Sequence, residues 1–208
     1  MLSPLRQPDA IEIERQQKAI KALEQFFNTA APIITYYSCT TPKEVFEIKG
    51  FDYHPMMYVD TTGGLADTGN RVFSGNNSEF YNHEIVHLFV QKLFPGCDMF
   101  FNEGIAMYLA GSGNHDFSWH KNNVRLASKA VAEINFQDHL GIFARQYVGD
   151  TSLPYLTAAL VCQRALRLNG TAALPGLMDA KADVWTAMES IGLNRENFNT
   201  ELHKELQL

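Results

Sequence analysis

Three residues in the middle of the chain have the types and the spacing needed to hold and use a metal ion. They are His83, Glu84 and His87, which form a His-Glu-x-x-His pattern. In a helix, residues four apart lie on the same face, so the two imidazoles can bind one ion. Glu84 is rotated by about 100° from His83, so its carboxylate can reach a water molecule beside that ion instead of binding the ion itself. The pattern therefore predicts a metal site with a general base next to it.

The residues around this pattern predict a buried helix from Phe80 to Phe94. The run is apolar on nearly every side, through Ile85, Val86, Leu88, Phe89, Val90, Leu93 and Phe94. Asn77 and Ser78 are the N-cap candidates, and Pro95-Gly96 ends the run. Two histidines that simply pack in the core, with a hydrogen-bonded glutamate, are the structural alternative. A metal ion is the stronger explanation, because polar side chains on such a helix are costly to bury unless something pairs with them.

A catalytic zinc site needs a third protein ligand and leaves its fourth position for water or substrate. Glu103 is the leading candidate, because it lies in a second apolar helical stretch, Met99 to Ala110, where an unpaired carboxylate is costly. The turn at Pro95-Gly96 would let this second helix fold back beside the first. The weaker candidates are Asp98, His115, Asp116 and His120, because turn residues flank them.

His83, His87 and Glu103, which follows His87 by sixteen residues, together resemble the zinc ligands of the gluzincin metallopeptidases. These are the thermolysin-like zinc peptidases, and the Asn102-Glu103-Gly104 segment is most similar to their aminopeptidase branch and its small relatives. The resemblance covers about residues 78 to 109. Two looser similarities flank it: residues 63 to 74 resemble the family's substrate-binding edge strand, and residues 155 to 159 resemble the helix that follows its active site.

The resemblance implies that His83, His87 and Glu103 bind one zinc ion per chain. It also implies that Glu84 is the general base for a metal-activated water, which attacks the peptide bond. A Tyr or His in the family stabilises the tetrahedral oxyanion. Tyr155 is our choice for that role because it opens a helix after a short loop, and an ordinary buried aromatic at a helix start is the alternative. The competitors for the role are His115, His120 and Tyr147.

Two features depart from the family's pattern. Some gluzincins carry an Asp four residues after the glutamate ligand, where it orients a ligand imidazole, but Met107 occupies that position here. A backbone carbonyl or Asp116 must then supply the acceptor that zinc-bound histidines normally need. The glycine-rich segment Gly63-Gly64-Leu65-Ala66-Asp67 offers only Asp67 as an anchor for a substrate's free amino group. Exopeptidase activity is therefore doubtful, and the mode of cleavage stays open.

The rest of the chain predicts helices around a few short strands. One long helix from about Pro8 to Thr29 is predicted to pack on the outside of the domain, with residues 14 to 18 facing water. The predicted strands are Ile33–Tyr37, Met56–Val59 and Arg71–Ser74, with a loop at residues 63–70 and a short helical stretch at residues 43–48. The further helices are predicted at about residues 122–135, 136–147, 154–168, 181–190 and 195–206.

The composition limits the class of protein. A length of 208 residues, 46% of them hydrophobic, predicts one globular domain over residues 1–208, with residues 1–30 as an N-terminal helix packed on it. The net charge of −6 argues against nucleic acid or an anionic membrane surface as a partner. No apolar run reaches the length of about 18 residues that predicts a transmembrane segment. Three separated cysteines, Cys39, Cys97 and Cys162, predict neither a disulfide framework nor a cysteine zinc site.

These observations together predict an α+β, predominantly helical, zincin-like metallopeptidase fold, with a small β-sheet on the N-terminal side of the His-Glu-x-x-His helix. The predicted function is zinc-dependent hydrolysis of peptide bonds in a peptide or protein substrate. A catalytically silent zincin-like domain that binds zinc or peptides is the alternative, although a purely structural site has no need of Glu84. The N-terminus has no signal peptide, so an exported form with its signal removed and a cytoplasmic protein are both open, as is the oligomeric state.

Overall fold

The structure is a computed structural model, and it describes residues 7–50, 64–127 and 131–208. Within these residues the chain is predominantly helical, with two small sheets. The chain divides into two compact units, Met1–Lys92 and Leu93–Leu208, which are described below one at a time. The single domain expected over residues 1–208 stays a prediction. The strand expected at Met56–Val59 lies outside the described residues.

Within its described residues, the first unit contains two helices, a three-stranded sheet and most of a third helix. In chain order its elements are α1 (Ala10–Phe27), β1 (Thr35–Ser38), α2 (Pro42–Lys49), β2 (Gly64–Asp67), β3 (Arg71–Ser74) and α3 (Asn82–Leu93). Asp9 caps α1, because its carboxylate accepts from the backbone N–H of Ile11 at 2.8 Å. Thr41 caps α2 in the same way, and Gly50, at a φ of 79°, ends it.

The sheet has the strand order β1-β3-β2, with β1 parallel and β2 antiparallel to β3. Phe73 stands at its centre, opposite Tyr37 on one side and Leu65 on the other, and its ring stacks on Tyr37 with centroids 4.6 Å apart. Cys39 and Val45 complete this buried cluster. The loop expected at residues 63–70 was wrong for Gly64–Asp67, which forms β2. Pairing with β3 outweighs the low strand propensity of glycine and aspartate.

The helix that carries the His-Glu-x-x-His pattern begins at Asn82, two residues later than expected. Neither predicted N-cap lies at its start. Asn77 has a positive φ of 60°, and the hydroxyl of Ser78 accepts from the backbone N–H of Phe80 at 2.9 Å, within the turn before the helix. One acceptor for the backbone N–H groups at this helix end comes from α1.

Within its described residues, the second unit is mostly helical and contains one short hairpin. Its elements are α4 (Met99–Ala110), α5 (Phe117–Ala127), β4 (Tyr147–Val148), β5 (Thr151–Ser152), α6 (Leu153–Asn169), α7 (Leu174–Leu177), α8 (Val184–Glu189) and α9 (Phe198–Gln207). The prediction for α4 is confirmed at both ends, and α6 differs by one residue at each end. The helix expected at residues 136–147 was wrong, because only Phe136–His139 forms a 3-10 turn and Tyr147 lies in the hairpin.

Across the described residues, we find no helix with the length and apolar character that crossing a membrane requires.

Candidate metal centre

The first turns of α3 place two imidazoles next to each other. His83 and His87 are one helical turn apart, and their ring centroids are separated by 4.9 Å. The helix keeps its place because most of its other residues are core residues, among them Ile85 and Val86, which have no exposed surface. His83 is itself buried, whereas His87 is half-buried. The expected one-face arrangement of the two rings is therefore present.

Glu103 joins the two histidines. One possible ligand atom from each of His83, His87 and Glu103 lies within 4.8 Å of the other two. Two imidazole nitrogens and a carboxylate oxygen are a donor set suited to zinc. Glu103 is buried, with 7% of its surface exposed, and charged side chains are rarely buried unless something pairs with them. This group could hold a metal ion.

Glu84 lies beside this group and is held by the edge strand. Its carboxylate oxygen Oε2 accepts a hydrogen bond of 2.7 Å from the backbone N–H of Ala66 in β2. The close approach of β2 to α3 depends on Gly64, because a Cβ there would lie 2.7 Å from the Tyr81 ring and 2.9 Å from the Glu84 side chain. The carboxylate is thereby oriented by backbone and not by a flexible partner.

Gly104, next to Glu103, has a packing role. A Cβ at this position would lie 2.6 Å from the backbone oxygen of Ala158, so only glycine lets α4 approach α6 this closely. Tyr155 lies one turn before Ala158 and is half-buried. Because residues three apart share a helix face, Tyr155 lies on the side of α6 that faces α4. Its role as an oxyanion donor stays a prediction.

The competitors of Tyr155 are placed differently. Tyr147 is 60% exposed in the hairpin. The ring of His115 stacks on Trp119, with the centroids 3.6 Å apart. His120 is buried in α5, where both of its ring nitrogens have partners: Nδ1 lies 3.0 Å from the hydroxyl of Thr151 and Nε2 lies 3.0 Å from the backbone oxygen of Ser112.

The hydrogen bonds of His120 define its protonation. A carbonyl oxygen can only accept, so Nε2 carries the proton that it donates to Ser112. The hydroxyl of Thr151 accepts from the amide of Asn123 at 2.9 Å, which leaves its own proton to be donated to Nδ1. Burial lowers the pKa of His120, in keeping with a neutral ring. His120 therefore ties α5 to the β4–β5 hairpin.

Two of the weaker metal-ligand candidates, Asp98 and Asp116, cap helices. The carboxylate of Asp98 accepts from the backbone N–H of Phe100 at 2.8 Å, at the start of α4. Asp116 accepts from the backbone N–H of Trp119 at 2.7 Å, at the start of α5. Met107, which stands where some gluzincins carry an Asp, is fully buried among apolar residues of α4.

Asp67, the one anionic residue of the glycine-rich segment, is already paired. Its oxygen Oδ2 lies 2.8 Å from the ammonium of Lys49 and 3.0 Å from the guanidinium of Arg71. The hydrogen bond from Lys49, with smaller contributions from Thr68 and Arg71, lowers the pKa of Asp67. An incoming amino group at the end of β2 would therefore meet a carboxylate that is already paired with Lys49 and Arg71.

Sequence reasoning missed one residue near the site, Gln16. Residues 14 to 18 were expected to face water, but Gln16 is buried, with 2% of its surface exposed. The helical spacing held a signal, because Gln16 precedes Ile20, Leu23 and Phe27 at intervals of four, three and four residues on the apolar stripe.

Comparison with known proteins identifies no relative of this chain. No family model matches the chain, and no curated protein or solved structure matches it either. The resemblance to the gluzincins and the catalytic role of Glu84 stay predictions.

Proposed function

We propose that this protein is a zinc-dependent metallopeptidase with a zincin-like fold, in which His83, His87 and Glu103 hold the ion and Glu84 is the general base. The observation that carries the proposal is the convergence of three ligand atoms within 4.8 Å of one another. The oriented, buried carboxylate of Glu84 in the same helix turn as His83 adds to it. Together they match what metal-assisted hydrolysis requires of a protein.

A zinc ion held by these residues would supply Lewis acidity, which would polarise the scissile carbonyl and lower the pKa of a water molecule toward about 7. Glu84 takes the proton of the attacking water on its carboxylate and delivers it to the amine nitrogen as the C–N bond breaks. One water is consumed, and one carboxylate and one amine are formed. Tyr155 donates a hydrogen bond from its hydroxyl to the carbonyl oxygen as negative charge develops there.

Strand β2, which lies at the edge of the sheet within the described residues, is the element we assign to substrate binding. It pairs with β3 on one side, and Ala66 directs its backbone N–H away from β3 to Glu84. An extended peptide that pairs along this edge would lie beside the base, with main-chain hydrogen bonds that depend little on the peptide's sequence.

Zinc content and one conservative substitution test the proposal. Protein purified without added metal is expected to contain about one zinc ion per chain, as a mononuclear site requires. Glu84→Gln keeps the shape of the side chain but removes the base, so it is expected to retain zinc and to lose hydrolysis of a quenched-fluorescence peptide library. His87→Ala is expected to lose both.

Two variants serve as controls. Glu47→Gln changes an exposed glutamate of α2, and His203→Ala removes a histidine of α9, so both are expected to match the original protein in zinc content and hydrolysis. Absence of zinc that persists on titration with Zn²⁺ would overturn the proposal. Zinc binding without hydrolysis in the original protein would favour the catalytically silent alternative.

A further inference from the structure

The N-terminal helix α1 runs alongside the His-Glu-x-x-His helix. Gln16 contacts Tyr81 and Asn82 at the start of α3, and further along both helices Phe27 stacks on Phe89 with centroids 5.4 Å apart. Beyond the end of α1, the ammonium of Lys92 donates to the backbone oxygen of Ala30 at 2.7 Å. The contacts advance in the same sense along both helices.

Gln16 is the polar residue of α1 that faces α3. Its side-chain oxygen accepts from the backbone N–H of Tyr81 at 2.9 Å, and its amide nitrogen donates to the side-chain oxygen of Asn82 at 3.2 Å. Burial of an amide side chain is costly unless both of its ends are paired, and here both are. Gln16 therefore holds the backbone where α3 begins.

Two neighbours of Gln16 hold the turn before α3. The carboxylate of Glu12 accepts from the hydroxyl of Ser78, and the guanidinium of Arg15 lies 3.7 Å from the centroid of the Phe80 ring. The first backbone N–H groups of a helix have no partner within the helix, so an outside acceptor is needed where the end is buried. The side chain of Gln16, from a different helix, supplies one at Tyr81.

We propose that Gln16 is a positioning residue for the metal centre: it fixes the first turn of α3 and so sets where His83 and Glu84 point. This inference rests on the proposed function. His83 immediately follows Asn82, whereas His87 lies a full turn deeper in the helix. A loosened first turn displaces His83 and Glu84 relative to His87 and Glu103. Zinc affinity and the proton transfer by Glu84 are then impaired together.

The test compares the same substitution at two neighbouring positions of α1. Gln16→Met keeps the length and burial of the side chain but removes both hydrogen bonds. Gln17→Met makes the same change at an exposed residue and is the matched control. Gln16→Glu is the conservative variant: its carboxylate still accepts from Tyr81, the Asn82 amide can turn to donate to it, and the helix N-terminus favours its charge.

Three measurements decide the outcome. Zn²⁺ affinity, from competition with a chromogenic chelator, is expected to fall about tenfold in Gln16→Met, the size typical of residues that orient metal ligands. The kcat for peptide hydrolysis is expected to fall about tenfold with little change in KM, because transition-state geometry and not peptide binding is affected. Amide hydrogen exchange is expected to quicken at residues 81–85 and not in β3. Gln16→Glu is expected to restore all three values.

A role in stability alone gives a different pattern: Gln16→Met would unfold at a lower temperature, yet match Gln17→Met in Zn²⁺ affinity, kcat and first-turn exchange while folded. That pattern overturns the inference, and so does a Gln16→Glu variant as impaired as Gln16→Met. Failure of the proposed function is recognised separately, because the original protein itself would then bind no Zn²⁺ or cleave no peptide.

Discussion

Tyr155 and His120 are two candidates for stabilising a developing oxyanion, and they differ in how they are placed. His120 gives its one proton to the carbonyl of Ser112 and receives a hydrogen bond from Thr151. Its use as a donor to substrate would break its hydrogen bond to Ser112. Tyr155 lies instead in the first turn of α6, on the face toward α4, the helix of Glu103. The placement of the two side chains therefore favours Tyr155 as the oxyanion donor.

Tyr155→Phe is therefore expected to lower kcat for peptide hydrolysis by about 10²–10³, the effect of removing one oxyanion donor. The ring and its packing remain, so zinc content and the unfolding temperature are expected to change little. Steady-state kinetics together with metal analysis check this, with Tyr147→Phe as the control at an exposed tyrosine. Unchanged kcat in Tyr155→Phe would remove this residue from the mechanism.

A second prediction about a single residue concerns Gly104. A methyl group in Gly104→Ala would meet the backbone oxygen of Ala158 at 2.6 Å, so α4 must shift away from α6. Overpacking of this kind costs about 1–3 kcal/mol of unfolding free energy, and it is expected to displace the neighbouring Glu103, the proposed zinc ligand. Zn²⁺ affinity is expected to fall by about tenfold, a size typical when a ligand's support is changed.

Denaturant unfolding and chelator competition measure the two effects of Gly104→Ala. Gly141→Ala is the matched control, because a Cβ there meets no atom within 4 Å. Equal behaviour of the two alanine variants would show that the close contact between α4 and α6 does not position Glu103.

Among the elements, α3 and α4 were predictable and β2 was not. Both helices are long apolar runs that end in glycine or proline, so local pattern and tertiary packing agree on them. Strand β2 contains one glycine and one aspartate, both weak strand formers, so its strand conformation depends on pairing with β3. The contacts of Gln16 with Tyr81 and Asn82 also could not be predicted, because they join residues that are distant in the sequence. The position of Gln16 on the apolar stripe of the helix could be predicted.

The β2–β3 hairpin bears on the mode of cleavage. Asp67 is held between Lys49 and Arg71, and these two cations give the end of β2 a net positive charge. An incoming ammonium group would meet this charge and would have to displace Lys49. Recognition of a free amino terminus by Asp67 is therefore unfavourable at this end of the strand.

Peptides with an acetylated amino terminus are accordingly expected to be cleaved at rates within about threefold of the free peptides, far below the tenfold that about 1.4 kcal/mol of lost binding would produce. Matched pairs of fluorogenic peptides, free and acetylated, provide the measurement through kcat/KM. Asp67→Asn is expected to lower stability without changing the ratio within each pair. A loss of more than tenfold on acetylation would show that the protein does bind the free terminus.

At the scale of the whole molecule, stability at low pH depends on the charged side chains that hold the C-terminal helix α9 against α6. Glu205 of α9 is fully buried and accepts hydrogen bonds from Gln163 and Arg167 of α6, while Arg164 lies 3.5 Å away. Burial alone raises the pKa of Glu205, but the hydrogen bonds and the two guanidinium charges outweigh it, and the pKa is lowered. Glu205 is therefore charged in the folded protein at neutral pH.

A carboxylate with a lowered pKa in the folded state stabilises the protein above its unfolded pKa of about 4.3, and this contribution is lost as the pH falls through the folded value. The unfolding free energy is therefore expected to decrease on acidification below that pH. Glu205→Gln is expected to lower the unfolding free energy by about 1–3 kcal/mol at pH 7, because it weakens two charged hydrogen bonds. The unfolding free energy of this variant is also expected to change less with pH at low pH. Denaturant unfolding at pH 7 and pH 4, with Glu189→Gln as an exposed control, separates these effects. If Glu205→Gln lost as much stability on acidification as the original chain, other carboxylates would have to account for it.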